Sequence, residues 1–262
     1  MKIAVSGKGG VGKTTLASIL ARLYANEGRT VLAADVDPDA NLGLALGFTP
    51  DEMDGITPIS EMSALIAERT GSTPESYGKF FKINPKVDDI PDRFALEKNG
   101  VKLLVMGTVD TGGGGCVCPE NIMIKRVISN LVISRGEVVI LDMEAGIEHL
   151  GRGTADFVDS FIVVIEPGER SIQTYKKVKT LARDIGITNI GVVANKVRSE
   201  DDKAFLTERI PASELLGFIR YNPDVIEADR RAESPFDVSR STVDEIRAIK
   251  DKIDTRMKGM VK

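Results

Sequence analysis

The chain has 262 residues, with 35 Lys and Arg against 39 Asp and Glu, a net charge of −4 and a pI of about 5.3. That length suits one large α/β domain with an ample core, and the mildly acidic, well-mixed charge argues against a nucleic-acid surface. There is no Trp and aromatic residues make up only 5% of the chain, which leaves little for stacking on bases. No apolar run approaches the ~20 residues of a membrane span, and no secretory signal pattern is visible. The expected compartment is the cytoplasm, with neither membrane nor nucleic acid as partner.

Short β-branched runs recur along the chain. Strands are expected, in order, at 3–5, 30–33, 101–106, 138–141, 161–165, 190–194 and 215–219. Several are apolar throughout rather than alternating, as strands are when both faces of a parallel sheet are covered. Helix-like stretches fall between them at 14–26, 119–134, 171–184 and 201–208. Segment 48–100 breaks the rhythm with Pro50, Pro58, Pro74, Pro85 and Pro91. It reads as an irregular insertion with one helix near 59–70, either a decorated surface or a lid or partner-docking face. A last helix, roughly 242–257, sets Val243, Ile246, Ile249, Ile253 and Met257 on one stripe. Its polar face mixes acids and bases, which favours packing on the domain over lying on a membrane. The alternation predicts a doubly wound, mostly parallel α/β sheet with helices on both faces, in a single domain over 1–262.

Gly7-Lys8-Gly9-Gly10-Val11-Gly12-Lys13-Thr14, followed by Thr15, fits the Walker A spacing, with a strand before it and an amphipathic helix after it. Glycines let the backbone turn its N–H groups toward phosphate oxygens. The helix start adds a positive dipole end, Lys13 brings charge to the β and γ phosphates, and the Thr14 hydroxyl suits Mg²⁺. ATP or ADP with Mg²⁺ is the expected ligand. Lys8 is a second lysine in the early part of the loop, beyond what the phosphates need.

Two strands end in acids. Asp35-Val36-Asp37-Pro38-Asp39-Ala40-Asn41 follows the second strand, on the ligand-binding edge of a parallel sheet. Val138–Asp142 is an apolar strand ending in a carboxylate, a Walker B pattern in which Asp142 holds Mg²⁺, usually through water. Glu144–His149 then occupies the place of a mobile switch, with His149, the only histidine, read as a solvated or hydrogen-bonded side chain.

Cys116 and Cys118 are the only cysteines, in a Cys-x-Cys after four glycines and before Pro119. A disulfide between them would close a small strained ring. Pro119 suits a first helical turn, and a helix N-terminus favours thiolates. One chain supplies two sulfurs, whereas a structural tetrahedral site needs four. A two-fold dimer would bring both pairs together on its axis. Zn²⁺, an Fe–S cluster and a four-sulfur nickel site all suit such ligands.

The loop with its extra lysine resembles the deviant Walker A class, which includes MinD, ParA and the nitrogenase iron protein. The resemblance implies that Lys8 crosses a dimer interface to the partner's nucleotide and that Asp37 orients the attacking water. It also implies that Asn195 hydrogen-bonds the adenine edge, with Tyr221 flanking the base. An Asn at this place also suits a simple turn cap. The combination of this loop with 35–42, 114–121 and 142–149, and with a similar stretch at 81–91, resembles the CooC family over most of the chain. Those are ATPases serving nickel maturation of carbon monoxide dehydrogenase. The implied protein is a homodimer that binds Ni²⁺ or Zn²⁺ at Cys116 and Cys118 under nucleotide control, with that dehydrogenase as client. Two rivals stand beside it. One is an electron carrier like the nitrogenase iron protein, whose cysteines are widely separated, unlike the pair here. The other is a partition or positioning ATPase, which has no need of two cysteines.

Overall fold

The computed structural model describes residues 1–37, 40–72, 81–107, 118–134, 137–144, 150 and 158–260. The apolar runs form β1 (Lys2–Gly7), β2 (Val31–Asp35), β4 (Val101–Val105), β5 (Val138–Asp142), β6 (Ser160–Ile165), β7 (Ile190–Val197) and β8 (Leu215–Arg220). With β3 (Leu96–Lys98) they make one sheet of eight strands in the order β3-β4-β2-β5-β1-β6-β7-β8. Every neighbouring pair is parallel except β3 with β4. From β1 the chain winds to one side through β2 and β4, returns to place β5 between β2 and β1, and leaves on the other side through β6, β7 and β8. The carboxyl ends of β1, β2 and β5 therefore meet at one edge, where open α/β sheets bind ligands.

Continuous apolar runs are explained by burial on both faces. In β1, Ala4 joins one core cluster while Ile3 and Val5 join the other; in β5, Val139 and Leu141 part from Val138 and Ile140 in the same way. Each fully buried Leu or Ile contributes roughly 1.5–3 kcal/mol of transfer free energy, so both cores are substantial.

The helices between strands begin with α1 (Lys13–Asn26), which packs on the Ile3 and Val5 face. After β2 come α2 (Leu42–Leu46), α3 (Pro50–Asp54), α4 (Ser63–Thr70) and α5 (Ile90–Phe94). Next come α6 (Pro119–Ser134), α7 (Glu169–Asp184), α8 (Glu200–Arg209), α9 (Pro223–Arg230), α10 (Pro235–Val238) and α11 (Arg240–Met260). Capping boxes start α3 at Thr49 with Glu52 and α8 at Ser199 with Asp202. The stripe expected on α11 faces inward: Val243, Ile246, Ile249 and Ile253 are buried. Among the described residues no helix is long and apolar enough to cross a membrane.

Segment 48–100 is more regular than its prolines suggest. It holds α3, a 3₁₀ turn at Ile59–Glu61, α4, α5 and β3. Arg69 grips the Asp89 carboxylate with two bonds of 2.9 and 2.7 Å, tying α4 to the residue just before α5. The strand Leu96-Glu97-Lys98 is short and charged, so nothing local marks it. It exists because β4 offers a free sheet edge.

Candidate nucleotide site

The loop after β1 is shaped by three glycines with positive φ: Gly7 at 154°, Gly10 at 76° and Gly12 at 95°. A Cβ on Gly7 would collide with the Val164 carbonyl oxygen of β6, and one on Gly12 with the side-chain nitrogen of Asn195. These positions therefore require glycine for space as well as for backbone angle. Gly12 precedes α1 with no side-chain cap, which leaves first-turn N–H groups without a side-chain partner, the setting in which helix starts bind anions. Val11 is fully buried and anchors the loop beneath, whereas Lys8, Gly9 and Gly10 are exposed.

Above this loop lies a cavity of about 610 Å³. Gly9, Gly10, Gly12, Lys13, Thr14 and Thr15 line one end, together with Asp37, Asn41 and Glu144. Asn195, Lys196 and the segment from Ile219 through Pro235, including Tyr221, line the other. The phosphate loop and the C-terminal third thus share one chamber. Apart from Asn195 and Tyr221 the far wall was not foreseen, because its residues carry no motif and converge only through the order of β7, β8 and α9.

Lys13 is buried, and its Nζ stands 3.5 Å from Asp37 Oδ2. The cation that should meet phosphate thus already has a carboxylate beside it, and that carboxylate lies in the same cavity. Asp37 is held there by Asp35, whose Oδ1 accepts from the Asp37 N–H at 3.3 Å while its Oδ2 accepts from the Leu42 N–H at 2.8 Å. Asp35 is fully buried. Burial first, and the Asp142 charge second, push its carboxyl up to about 8, against the pull of the two N–H donors.

Asp142 ends β5 with both carboxylate oxygens buried, neither in a regular hydrogen bond, and with the Thr14 hydroxyl as its neighbouring donor. Burial raises its pKa to about 6, partly offset by the neighbouring Thr14 hydroxyl and the Lys13 charge. A buried carboxylate short of donors is costly unless a cation completes it. Asp142 beside Thr14 is therefore a donor set that fits Mg²⁺: two hard oxygens next to a phosphate cradle. Ser6, just before the loop, donates to the Glu144 carbonyl at 2.8 Å and joins β1 to the chain leaving β5.

Asn195, expected on the adenine edge, directs its amide at the protein. Its Nδ2 donates to the Val11 carbonyl at 2.7 Å and its Oδ1 accepts from the Lys196 N–H at 2.8 Å. Tyr221 carries the Arg198 guanidinium 4.0 Å from its ring centre.

Cys118 lies at the start of α6, 8% exposed, and its Sγ accepts from the Asn121 N–H at 3.4 Å. The helix start expected at Pro119 is present. Cys116 and the glycines before it, Pro38, Asp39, and the switch residues 145–149 with His149 lie outside the described residues. Among the described residues there is no group of three or more His, Cys, Asp or Glu able to hold a metal.

Residues 2–236 match the CobQ/CobB/MinD/ParA nucleotide binding domain family. The chain is 46% identical over 249 residues to the carbon monoxide dehydrogenase accessory protein CooC of Rhodospirillum rubrum, covering 95% of this chain and 94% of that protein. The chain belongs to the CooC family. A second relative of this CooC-family chain is an uncharacterized ATP-binding protein of Methanocaldococcus jannaschii, 49% identical over 232 residues, with 87% of this chain and 88% of that one covered. The CooC-family fold is also that of a chain in the MinC:MinD cell division protein complex of Aquifex aeolicus. That chain aligns with a TM-score of 0.68 at 20% identity, over 97% of this chain and 96% of the other. The loop, its glycines and the cavity above it are thus those of a nucleotide-binding protein.

Proposed function

We propose that this protein is a dimerising ATPase that serves nickel insertion into carbon monoxide dehydrogenase. The observation that carries the reading is 46% identity over 95% of the chain to a carbon monoxide dehydrogenase accessory protein, joined to a phosphate loop whose extra lysine stands exposed on the rim. A lysine placed there is free to meet the nucleotide of a second copy of the chain.

ATP sits with its phosphates in the loop and its base toward Asn195 and Tyr221. One amide hydrogen of Asn195 holds the Val11 carbonyl, and the second is left to meet the base. Thr14 and Asp142 would hold Mg²⁺, which would supply charge neutralisation on the phosphates. The chain's own residues do the rest. Lys13 neutralises phosphate charge and thereby releases Asp37 from its ion pair. Asp37, fixed by Asp35, orients water for attack on the γ phosphorus, and ADP and phosphate leave. Lys8 of each chain adds a positive charge to the other's triphosphate, so ATP favours the closed dimer and hydrolysis releases it.

The cargo site is assigned to Cys116 and Cys118 of both chains. Cys118 at a helix start is placed where a thiolate is stabilised. One chain offers two sulfurs, so a four-sulfur site for Ni²⁺ or Zn²⁺ requires two chains.

The test is metal titration of the wild type and of a Cys116→Ser, Cys118→Ser double variant, each with and without ATP. One metal per dimer, absent from the variant, is expected. One metal per monomer, or unchanged binding by the variant, would remove the shared site.

A further inference from the structure

Lys196 lies outside the phosphate-loop motif, yet its ammonium is bound to that loop. The Nζ donates to the Gly10 carbonyl at 2.5 Å and stands 3.6 Å from Glu166 Oε2 at the end of β6. Its neighbour Asn195 donates to the next carbonyl, that of Val11, at 2.7 Å. Two adjacent side chains thus take two adjacent loop carbonyls. The backbone is distorted to achieve this: Lys196 has φ of 58°, a left-handed value disfavoured for any residue with a Cβ, and the β7–β8 pairing loses register between Ala194 and Val197. A regular strand would send residues 195 and 196 to opposite faces of the sheet. The irregularity instead turns both toward the loop.

Peptide planarity gives this a consequence. In a trans peptide the carbonyl and the following N–H point in opposite directions. Drawing the Gly10 and Val11 carbonyls outward toward β7 turns the N–H groups of Val11 and Gly12 away from β7. The Gly12 N–H then faces the loop's concavity, where anions are held by such groups. The Val11 N–H has only a long contact, 3.4 Å, to the Lys8 carbonyl.

We infer that Lys196 is a positioning residue for nucleotide binding: with Asn195 it forms a clasp that holds the phosphate loop in its donor-inward form before nucleotide arrives, with Glu166 fixing the ammonium from the other side. The inference rests on the nucleotide-site reading above. The clasp acts on the loop and not on the reacting phosphorus, so it strengthens ADP and ATP binding alike.

The experiment measures Kd for ADP by calorimetry, and KM and kcat for ATP, in the wild type, Lys196→Met, Lys196→Gln and Lys196→Arg. Met keeps the stem and removes the donor. ADP binding is expected to weaken about three- to tenfold, the net scale of one ordinary exposed hydrogen bond, with the loss in KM rather than kcat. Gln, a shorter neutral donor, should weaken binding to a lesser degree, and it carries the test if the Met variant does not fold. Arg should restore most of the affinity. A purely structural role would lower the melting temperature without nucleotide and leave Kd unmoved. Neutral variants that bind ADP as tightly as wild type, or that lose kcat alone, overturn the clasp. A wild type that binds no nucleotide overturns the nucleotide-site reading instead.

Discussion

Asp35 and Asp142 are Cα partners in the parallel pairing of β2 with β5, two fully buried carboxylates side by side at the sheet's ligand edge. Neither has a basic residue as hydrogen-bond partner: Asp35 is met by backbone N–H groups, and Asp142 has only the Thr14 hydroxyl beside it. Burial thus disfavours negative charge on both carboxyl groups, a cost that a bound cation would relieve.

A pH dependence follows with a definite sign. Burial raises Asp142 to about 6 and Asp35 to about 8, both above the ordinary 3.8. The native state then keeps protons that the unfolded chain releases. The stability contributed is complete below about pH 4 and is lost as pH rises through about 6 for Asp142 and about 8 for Asp35. Asp142→Asn should therefore raise the melting temperature of protein without nucleotide at pH 8, reflecting a stability gain on the order of 3 kcal/mol that shrinks toward pH 4. The same variant should lose metal-supported hydrolysis. An unchanged melting temperature at pH 8 would show that ionised Asp142 costs the fold nothing.

Lys8 is exposed, so its removal should leave the isolated chain intact. Lys8→Ala is expected to change unfolding free energy by no more than about 0.5 kcal/mol, the usual range for surface sites. ATP should no longer drive dimerisation, as read by light scattering after size exclusion. If the variant still dimerises with ATP, the lysine does not bridge two chains.

Gly12→Ala meets two obstacles, a φ of 95° and the side-chain nitrogen of Asn195. The backbone obstacle alone costs about 1–2 kcal/mol. Nucleotide binding should be lost. Adding Asn195→Ala should recover part of the stability, because it removes the collision but not the strain. Strict additivity in urea unfolding would mean that Asn195 is not the wall against which Gly12 packs.

Asp37→Asn keeps shape and removes the negative partner of Lys13. Nucleotide should bind at least as well as in wild type. Hydrolysis should fall by about 100-fold or more, the scale of losing a group that handles the attacking water. Single-turnover assays separate the two, and a loss of binding without a loss of the chemical step would reassign Asp37 to phosphate contact.

Much of this was legible in one dimension because the signals are local. A phosphate loop needs consecutive residues, so Gly7–Thr14 announces itself, and unbroken apolar runs such as Val138–Leu141 announce strands covered on both sides. The start of α6 at Pro119 is legible for the same reason: proline tolerates a first turn and little else of a helix. The strand Leu96–Lys98 was illegible, because its existence depends on a hydrogen-bonding edge offered by β4 and not on its own side chains.

By itself the sequence determined the glycine-rich loop with Walker A spacing, the two strand-terminal carboxylates, the alternation that makes a parallel sheet, and the pair of cysteines. Each is written within a few neighbouring residues, where covalent spacing fixes geometry. Only the tertiary structure decided that Asn195 and Lys196 grip the loop from 184 and 186 positions away. Likewise it alone set Asp35 against Asp142 and made residues 219–235 the far wall of the cavity. Those relationships are set by strand order and by a register shift in β7, which depend on how distant segments pack together and leave no trace in local spacing.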